Sequence, residues 1–145
     1  MYELSNELKE FNFLYRKWDG LYHNLAIKAG LSDSAFYILY AITELGDGCL
    51  QKDIAEQYSF SRQTINSSIQ NLTSNGYLSM TQGNRRDKHI HLTAAGQQLV
   101  ESKILPVMKM EEAVFSEMTL SESQELLRLT RKYIQLFQEK INQTI

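Results

Sequence analysis

This chain contains few of the residues that build loops, cross-links and membrane segments. Its 145 residues include one cysteine, one proline and seven glycines. A single cysteine excludes an internal disulfide and predicts a protein of the reducing cytoplasm. So little proline and glycine favours long helices over an all-β fold. No run approaches the roughly 20 apolar residues of a membrane span, and the opening MYELSNELKE lacks the basic leader and apolar core of a signal peptide.

The chain also lacks a strong charge of either sign, because its formal net charge is −2. Residues 51–92 carry five basic and three acidic side chains, a net of +2, so the remainder carries −4. Positive charge is therefore mildly concentrated in one segment, as expected of a nucleic-acid-binding surface. The length suits one domain with a real core rather than two ordinary domains.

Both ends of the chain predict long amphipathic helices. In the first thirty residues, apolar side chains recur at spacings of three and four: Leu4, Leu8, Phe11, Tyr15, Trp18, Tyr22 and Leu25. The helix after Thr93 is expected to reach about Met118 with a kink or break at Pro106, and Ser121 with Gln124 predicts a capping box for the last helix. Because the terminal apolar stripes are wider than one domain covers, they predict a homodimer.

The central residues 50–93 carry most of the functional information, in the order LQKDIAEQYSFSRQTINSSIQNLTSNGYLSMTQGNRRDKHIHLT. A short helix at 51–58 precedes a second helix that Ser61 caps and Gly76 ends. Strands at 77–82 and 88–92 flank a tip that Gly83 and Asn84 form, with the basic Arg85 and Arg86 directly after it. A helix-turn-helix followed by a hairpin is the winged arrangement, which presents a rod to the major groove and a cationic loop beside it.

The second helix of this segment has a polar face suited to reading bases. Opposite its apolar stripe of Ile65, Ile69 and Leu72 are amide and hydroxyl groups, which match the mixed donors and acceptors of the major groove. The alternative for this helix face is that it is merely solvated. The alternative for Arg85 and Arg86 is that they belong to a soluble turn. Lys52 and Arg62 are expected at phosphates. The predicted DNA-binding residues are Lys52, Ser61, Arg62, Gln63, Thr64, Asn66, Ser67, Gln70, Arg85, Arg86 and Lys88.

The central segment and the following HLTAAGQQL resemble the MarR family of winged helix-turn-helix transcriptional regulators. The resemblance covers essentially the whole chain. It implies a mainly α fold with a small β-hairpin wing, as a single domain over 1–145. Residues 1–30 and 94–145 would be dimerisation helices, and 31–93 the DNA-binding lobe. It further implies a homodimer on a pseudo-palindromic site, acting as a repressor and released by a small phenolic or hydrophobic effector, an oxidant or a metal.

The wing departs from the family pattern at its tip. The family's aspartate, any residue, arginine motif falls on Asn84-Arg85-Arg86, so Arg86 matches the arginine that enters the minor groove. Asn84 replaces the aspartate that braces this arginine, the wing is about two residues shorter than in many relatives, and Met80 stands where a basic residue is common. A narrow A·T-rich minor groove still attracts an arginine without its brace.

An aromatic group on the first two helices is the candidate effector site. It comprises Tyr15, Trp18, Tyr22, Phe36, Tyr37 and Tyr40, for which ordinary core packing is the alternative. Cys49 is interpreted as a structural thiol, since no second cysteine is present to resolve a sulfenic acid. His89 and His91 share a strand face near Asp87, but only His23 lies in a dimerisation helix, so no metal site and no cofactor are predicted.

Two other classes of function are alternatives to DNA binding. The sequence has no glycine-rich phosphate loop, nucleophile elbow or zinc-ligand spacing, so no enzyme is expected. A winged helix that serves as a protein-interaction module is favoured slightly by the weak charge and Met80. The polar face and the arginines disfavour it.

Overall fold

The computed structural model describes residues 1–84 and 86–145. Its helices are α1 (Asn6–Ala29), α2 (Asp33–Leu45), α3 (Gln51–Tyr58), α4 (Arg62–Ser74), α5 (Ala94–Leu99), α6 (Leu105–Glu117) and α7 (Leu120–Thr144). Strands β1 (Leu78–Gln82) and β2 (Lys88–Leu92) pair antiparallel between α4 and α5. The mainly helical fold with one hairpin confirms the predicted fold class. The predicted DNA contact at Arg85 lies outside the described residues.

Hydroxyl side chains begin five of the helices. Ser5, Ser32, Ser61, Thr93 and Thr119 have extended backbones, and each accepts an N–H from the first turn of its helix. Such caps satisfy donors that have no partner within the helix. The predicted cap at Ser61 is confirmed, and Ser32 and Thr93 cap α2 and α5 in the same way.

The predicted capping box of the last helix was wrong by two residues. Thr119 is the cap: its hydroxyl accepts the N–H of Glu122, and the Glu122 carboxylate accepts the N–H of Thr119. Ser121 already lies within the first turn of α7. Both positions fit the capping pattern, and the chain begins the helix at the earlier one. Hydrogen bonds to the Glu122 carboxylate, first from the Thr119 backbone and then from its side chain, lower the pKa of that carboxyl.

Pro106 is accommodated without ending the helix. A π-helical segment, Val100–Ile104, joins α5 to α6, and its cap N–H at Leu105 donates to the carbonyl of Val100. A π segment inserts one extra residue into a helix, so the hydrogen-bond register has already shifted when the chain reaches the proline, which has no N–H to donate. The predicted interruption therefore takes the form of this segment just before Pro106.

Helix α2 lies at the centre of the core of residues 1–106. It packs against α1, α3, α4 and the π-helical segment, and Phe36, Ile38, Leu39, Ala41 and Ile42 are fully buried. Helix α4 contributes Ile65, Ile69 and Leu72 to the same core, as its apolar spacing predicted. Contact between two helices through regular apolar rows fixes their relative rotation. The core therefore determines which face of α4 is turned outwards.

The chain divides into two compact units, Met1–Pro106 and Val107–Ile145. In the first unit, Ala26 is the only buried residue of α1, while Trp18 and Leu21 are 57% and 58% exposed. In the second, no residue of α7 is buried, and Ile134 and Phe137 are 62% and 57% exposed. Each terminal helix thus carries a large uncovered apolar face. The predicted split into a lobe at 31–93 and flanking dimerisation helices stays a prediction.

No single helix among the described residues has the length and apolar character to cross a membrane. Helices α1 and α2 reach those criteria only as a pair, with a bend of 92° between them.

Candidate nucleic-acid interface

Helix α4 turns a polar face to solvent because its other face is held in the core. Besides its three apolar residues, Ser68 is buried at 8% exposure and its hydroxyl lies 2.5 Å from that of Ser34 in α2. A buried hydroxyl needs such a partner, and this one adds a directional contact to the apolar packing. The outward residues are those predicted to read DNA: Arg62, Gln63, Asn66, Ser67 and Gln70 are all exposed.

Three residues that were predicted to contact DNA, Ser61, Thr64 and Asn66, already have hydrogen-bond partners within the protein. The Ser61 hydroxyl accepts the N–H of Thr64 and donates to its hydroxyl at 2.8 Å, so both residues fix the start of α4. The side-chain amide of Gln51 donates to the amide oxygen of Asn66. This contact orients Asn66 and leaves its NH₂ group to donate outwards. Gln51 was not predicted, because nothing in a linear sequence pairs a residue of α3 with one on α4.

The wing is a short hairpin joined to a third piece of strand. Leu78 pairs with Leu92 and Gln82 with Lys88, and in the turn between the strands the N–H of Gly83 donates to the carbonyl of Asp87 at 2.9 Å. An additional bridge joins Leu50, just before α3, to His89 of β2. The hairpin confirms the predicted strands. The bridge was missed because one residue of strand carries no periodicity.

The position of Gly96 explains why the HLTAAGQQL segment carries a glycine. Gly96 is buried in the first turn of α5, and a Cβ there would collide with the carbonyl of Tyr77 just before β1. The Thr93 N–H donates to that carbonyl at 3.1 Å, and its hydroxyl donates to the carbonyl of Gly76 at 2.6 Å. The base of the wing is therefore held close against α5.

A cleft of about 500 Å³ lies between α3, the start of α4 and the wing tip. Four basic side chains line it, with apolar groups, polar amides and two acids beside them: Lys52, Arg62, Arg86, Lys88, Leu50, Ala55, Phe60, Ile65, Gln51, Asn66, Glu56 and Asp87. The Lys52 ammonium lies 3.6 Å from the Asp87 carboxylate, and both side chains are largely exposed. The cleft thus gathers all four described cations of the predicted site around one opening, as phosphate binding requires.

The two wing histidines bond to the loop before α3. Nδ1 of His89 lies 2.8 Å from the carbonyl oxygen of Gly48, and Nδ1 of His91 lies 3.3 Å from the Asp47 carboxylate. Within the described residues, no group of three or more His, Cys, Asp or Glu side chains could hold a metal ion. These contacts give both rings a structural role.

Tyr37 is the hub of an aromatic cluster. Its ring centroid lies 5.9 Å from those of Tyr22 and Phe36, and Phe36 contacts Tyr40 at 6.5 Å. Tyr58 and Phe60, which were not predicted, contact Tyr37 at 5.9 and 5.8 Å. The structure thus brings four of the six predicted effector residues together by packing. Tyr15 and Trp18 lie on the exposed part of α1, and effector binding at this cluster stays a prediction.

Cys49 is half-buried in the loop before α3. Burial foremost, and then the nearby carboxylates of Asp53 and Asp47, raise the pKa of its thiol. A raised pKa reduces the fraction of thiolate, the form that reacts with oxidants. The geometry therefore supports the interpretation of Cys49 as a structural thiol.

Known proteins share both the sequence pattern of this lobe and the fold of the chain. Residues 29–87 match the sequence model of the MarR family. The resemblance to the MarR family is confirmed. The matched residues hold α2, α3, α4 and β1, together with the basic wing tip. No curated protein matches the chain in sequence.

The MarR fold extends over almost the whole chain. A MarR family regulator of Neisseria meningitidis superposes with a TM-score of 0.83 at 17% identity, covering 97% of this chain and 100% of its own. MepR of Staphylococcus aureus, solved as a DNA complex, gives 0.71 at 19% identity, with 93% and 99% covered. BpsR of Bordetella bronchiseptica gives 0.67 at 19%, with 92% and 98% covered. At these identities the likeness shows the fold, which is that of a MarR family transcriptional regulator.

Proposed function

We propose that this chain is a sequence-specific DNA-binding repressor that binds a pseudo-palindromic site as a homodimer. The observation that carries the proposal is the outward polar face of α4 beside the basic cleft. Gln63, Asn66 and Gln70 offer amides to base edges, while Lys52 and Arg62 beside them would contact phosphates and Arg86 of the wing would enter the minor groove. The structure of MepR, which has the same fold, was solved with DNA, and this supports the assignment.

The proposed dimer uses the uncovered faces of the terminal helices. Apolar faces such as those of α1 and α7 are rarely left in water by a stable monomer. A two-fold interface that buries them would give each dimer two copies of α4, and two recognition helices match a palindromic site.

We assign release from DNA to a small phenolic or hydrophobic effector. The aromatic cluster around Tyr37 joins α1, α2 and the segment before α4. A ligand there would therefore contact both α1 and elements of the DNA-binding lobe. Regulation of DNA binding by 6-hydroxynicotinic acid is described for BpsR, which supports an aromatic effector for this fold. Tyrosine rings offer both stacking and a hydroxyl to such a ligand.

Selection of a binding site from random duplex tests the proposal. A repressor of this kind selects a palindrome with half-sites about one helical turn apart, and its affinity falls steeply with salt. Sedimentation of the bound complex gives two chains per site. Selection that returns no enriched sequence, with equal and weak binding to all duplexes, would refute sequence-specific binding.

One observation favours a protein-interaction module as the second candidate. Met80 on β1 is 40% exposed, an apolar group on the wing beside the basic tip. A wing that binds protein would use such a group, whereas one that binds DNA gains little from it. Substituting Met80→Lys separates the two, since an added cation tightens retention on random duplex only if the wing approaches DNA.

A further inference from the structure

The hairpin of the wing is too small to hold its own position. Each strand has five residues, and a two-stranded hairpin of this size is marginally stable alone in water. Yet the wing carries Arg86, whose contact with DNA depends on where the tip points. Something outside the hairpin must therefore fix it.

The loop before α3 supplies that support through one carboxylate. One oxygen of Asp47 accepts the backbone N–H of Leu92 at 2.7 Å, and the other accepts from Nδ1 of His91 at 3.3 Å. Because Nδ1 of the neutral ring then carries the hydrogen, Nε2 accepts from the hydroxyl of Thr81 on β1 at 2.9 Å. Asp47, His91 and Thr81 thus form a chain of contacts from the loop across both wing strands.

The backbone of the same loop is shaped to admit these rings. Gly48 has φ +85°, and a Cβ there would lie 3.2 Å from Cε1 of His91. The Gly48 N–H donates to the carbonyl of Ile90 at 2.8 Å, and its carbonyl accepts from Nδ1 of His89 at 2.8 Å. At the far end of β1, a Cβ on Gly83 would lie 2.6 Å from Nε2 of His89. A side chain at Gly83 would therefore require the His89 ring to shift, and one at Gly48 would crowd His91 and strain the backbone.

We propose that Asp47, His91 and Thr81 are a wing clamp, and that Asp47 is a positioning residue that sets the direction of Arg86 at the minor groove. None of the three lines the cleft that faces DNA. Their role in binding rests on the DNA-binding function proposed for the chain. A carboxylate near DNA would by charge alone weaken binding, so the clamp predicts an effect of opposite sign when Asp47 is removed.

Two substitutions at Asp47 remove the same charge but differ in hydrogen bonding. Asp47→Ala removes both contacts. In Asp47→Asn, the amide oxygen still accepts the N–H of Leu92, and the NH₂ group donates to His91 once the ring takes its other tautomer. That tautomer then donates from Nε2 to the Thr81 hydroxyl. Asp47→Ala should bind a selected site with A·T-rich flanks about three- to tenfold more weakly than wild type, and Asp47→Asn should retain or exceed wild-type affinity.

Three controls distinguish positioning from loss of charge or of fold. Asp53→Ala removes a neighbouring charge outside the clamp and should not weaken binding. In an Arg86→Ala background, Asp47→Ala should cost nothing further, because the arginine it positions is absent. Hydrogen exchange at the amides of Ile90 and Leu92 should accelerate in Asp47→Ala and return towards wild type in Asp47→Asn.

Equal affinities of Asp47→Ala and Asp47→Asn would overturn the clamp, as would a loss in Asp47→Ala that persists without Arg86. If wild type binds no duplex selectively, the proposed DNA-binding function fails instead. Hydrogen exchange then still tests the clamp, and unchanged protection at Leu92 in Asp47→Ala would overturn it.

Discussion

Replacing Gln63 with alanine should remove base readout while leaving the fold intact. Gln63 is exposed in the first turn of α4, on the side away from the buried Ile65 and Ile69. Its truncation makes no cavity, so the free energy of unfolding should change by less than about 0.5 kcal/mol. A bidentate amide contact with adenine is worth about 1–3 kcal/mol of discrimination, or roughly 5- to 150-fold in affinity per half-site. A dimer presents two copies, which doubles the loss to about 2–6 kcal/mol.

Asn66→Ala is an informative comparison with Gln63→Ala, because the Asn66 amide is already hydrogen-bonded to Gln51. Asn66→Ala removes an outward donor and also frees the Gln51 amide, so base discrimination should fall and the unfolding midpoint should drop slightly. Gln63→Ala should change discrimination alone. Gln97 is an exposed glutamine on α5, so Gln97→Ala is the matched control. It should change neither base discrimination nor the unfolding midpoint.

Fluorescence titration of the selected site and a random duplex at several salt concentrations measures both the base discrimination and the salt dependence of binding. Gln63→Ala should lower the ratio of specific to random affinity without changing the salt slope, since no phosphate contact is lost. If it weakens both duplexes equally, or neither, then α4 does not read bases through this residue.

Three further predictions concern the wing, the thiol and the last helix. Arg86→Ala should weaken binding chiefly at sites with narrow A·T-rich flanks and lower the salt slope by about one unit per half-site; an unchanged slope would remove the wing from the DNA contact. Cys49→Ser should cost little stability. Because burial and nearby carboxylates raise the pKa of the thiol, peroxide should affect the DNA binding of mutant and wild type equally. Peroxide-dependent release of wild type alone would instead make this protein a redox sensor. Truncation after Thr119 should abolish dimerisation and impair folding, and a well-folded micromolar monomer of the full chain in sedimentation would contradict the proposed dimer.

The order of elements in the DNA-binding lobe could be predicted from sequence because each signal is local. Ser61 begins α4, Gly76 ends it, and the spacing of Ile65, Ile69 and Leu72 places its polar face outwards. Where two local patterns competed, sequence alone failed. The capping pattern fitted both Ser121 and Thr119, and only the start of α7 decided between them.

Contacts between distant residues were decided by the tertiary structure. Asp47 and His91 lie 44 residues apart, and neither neighbourhood in the sequence indicates the other. The partnership of Gln51 with Asn66 and the joining of Tyr58 and Phe60 to Tyr37 depend likewise on how α2, α3 and α4 pack. Apolar periodicity depends on side chains that share a helix face, and caps depend on hydrogen bonds, in both cases between residues a few positions apart, so a sequence displays them directly. The support of the wing depends on a carboxylate that the packed core brings to a strand far along the chain, and linear spacing carries no record of it.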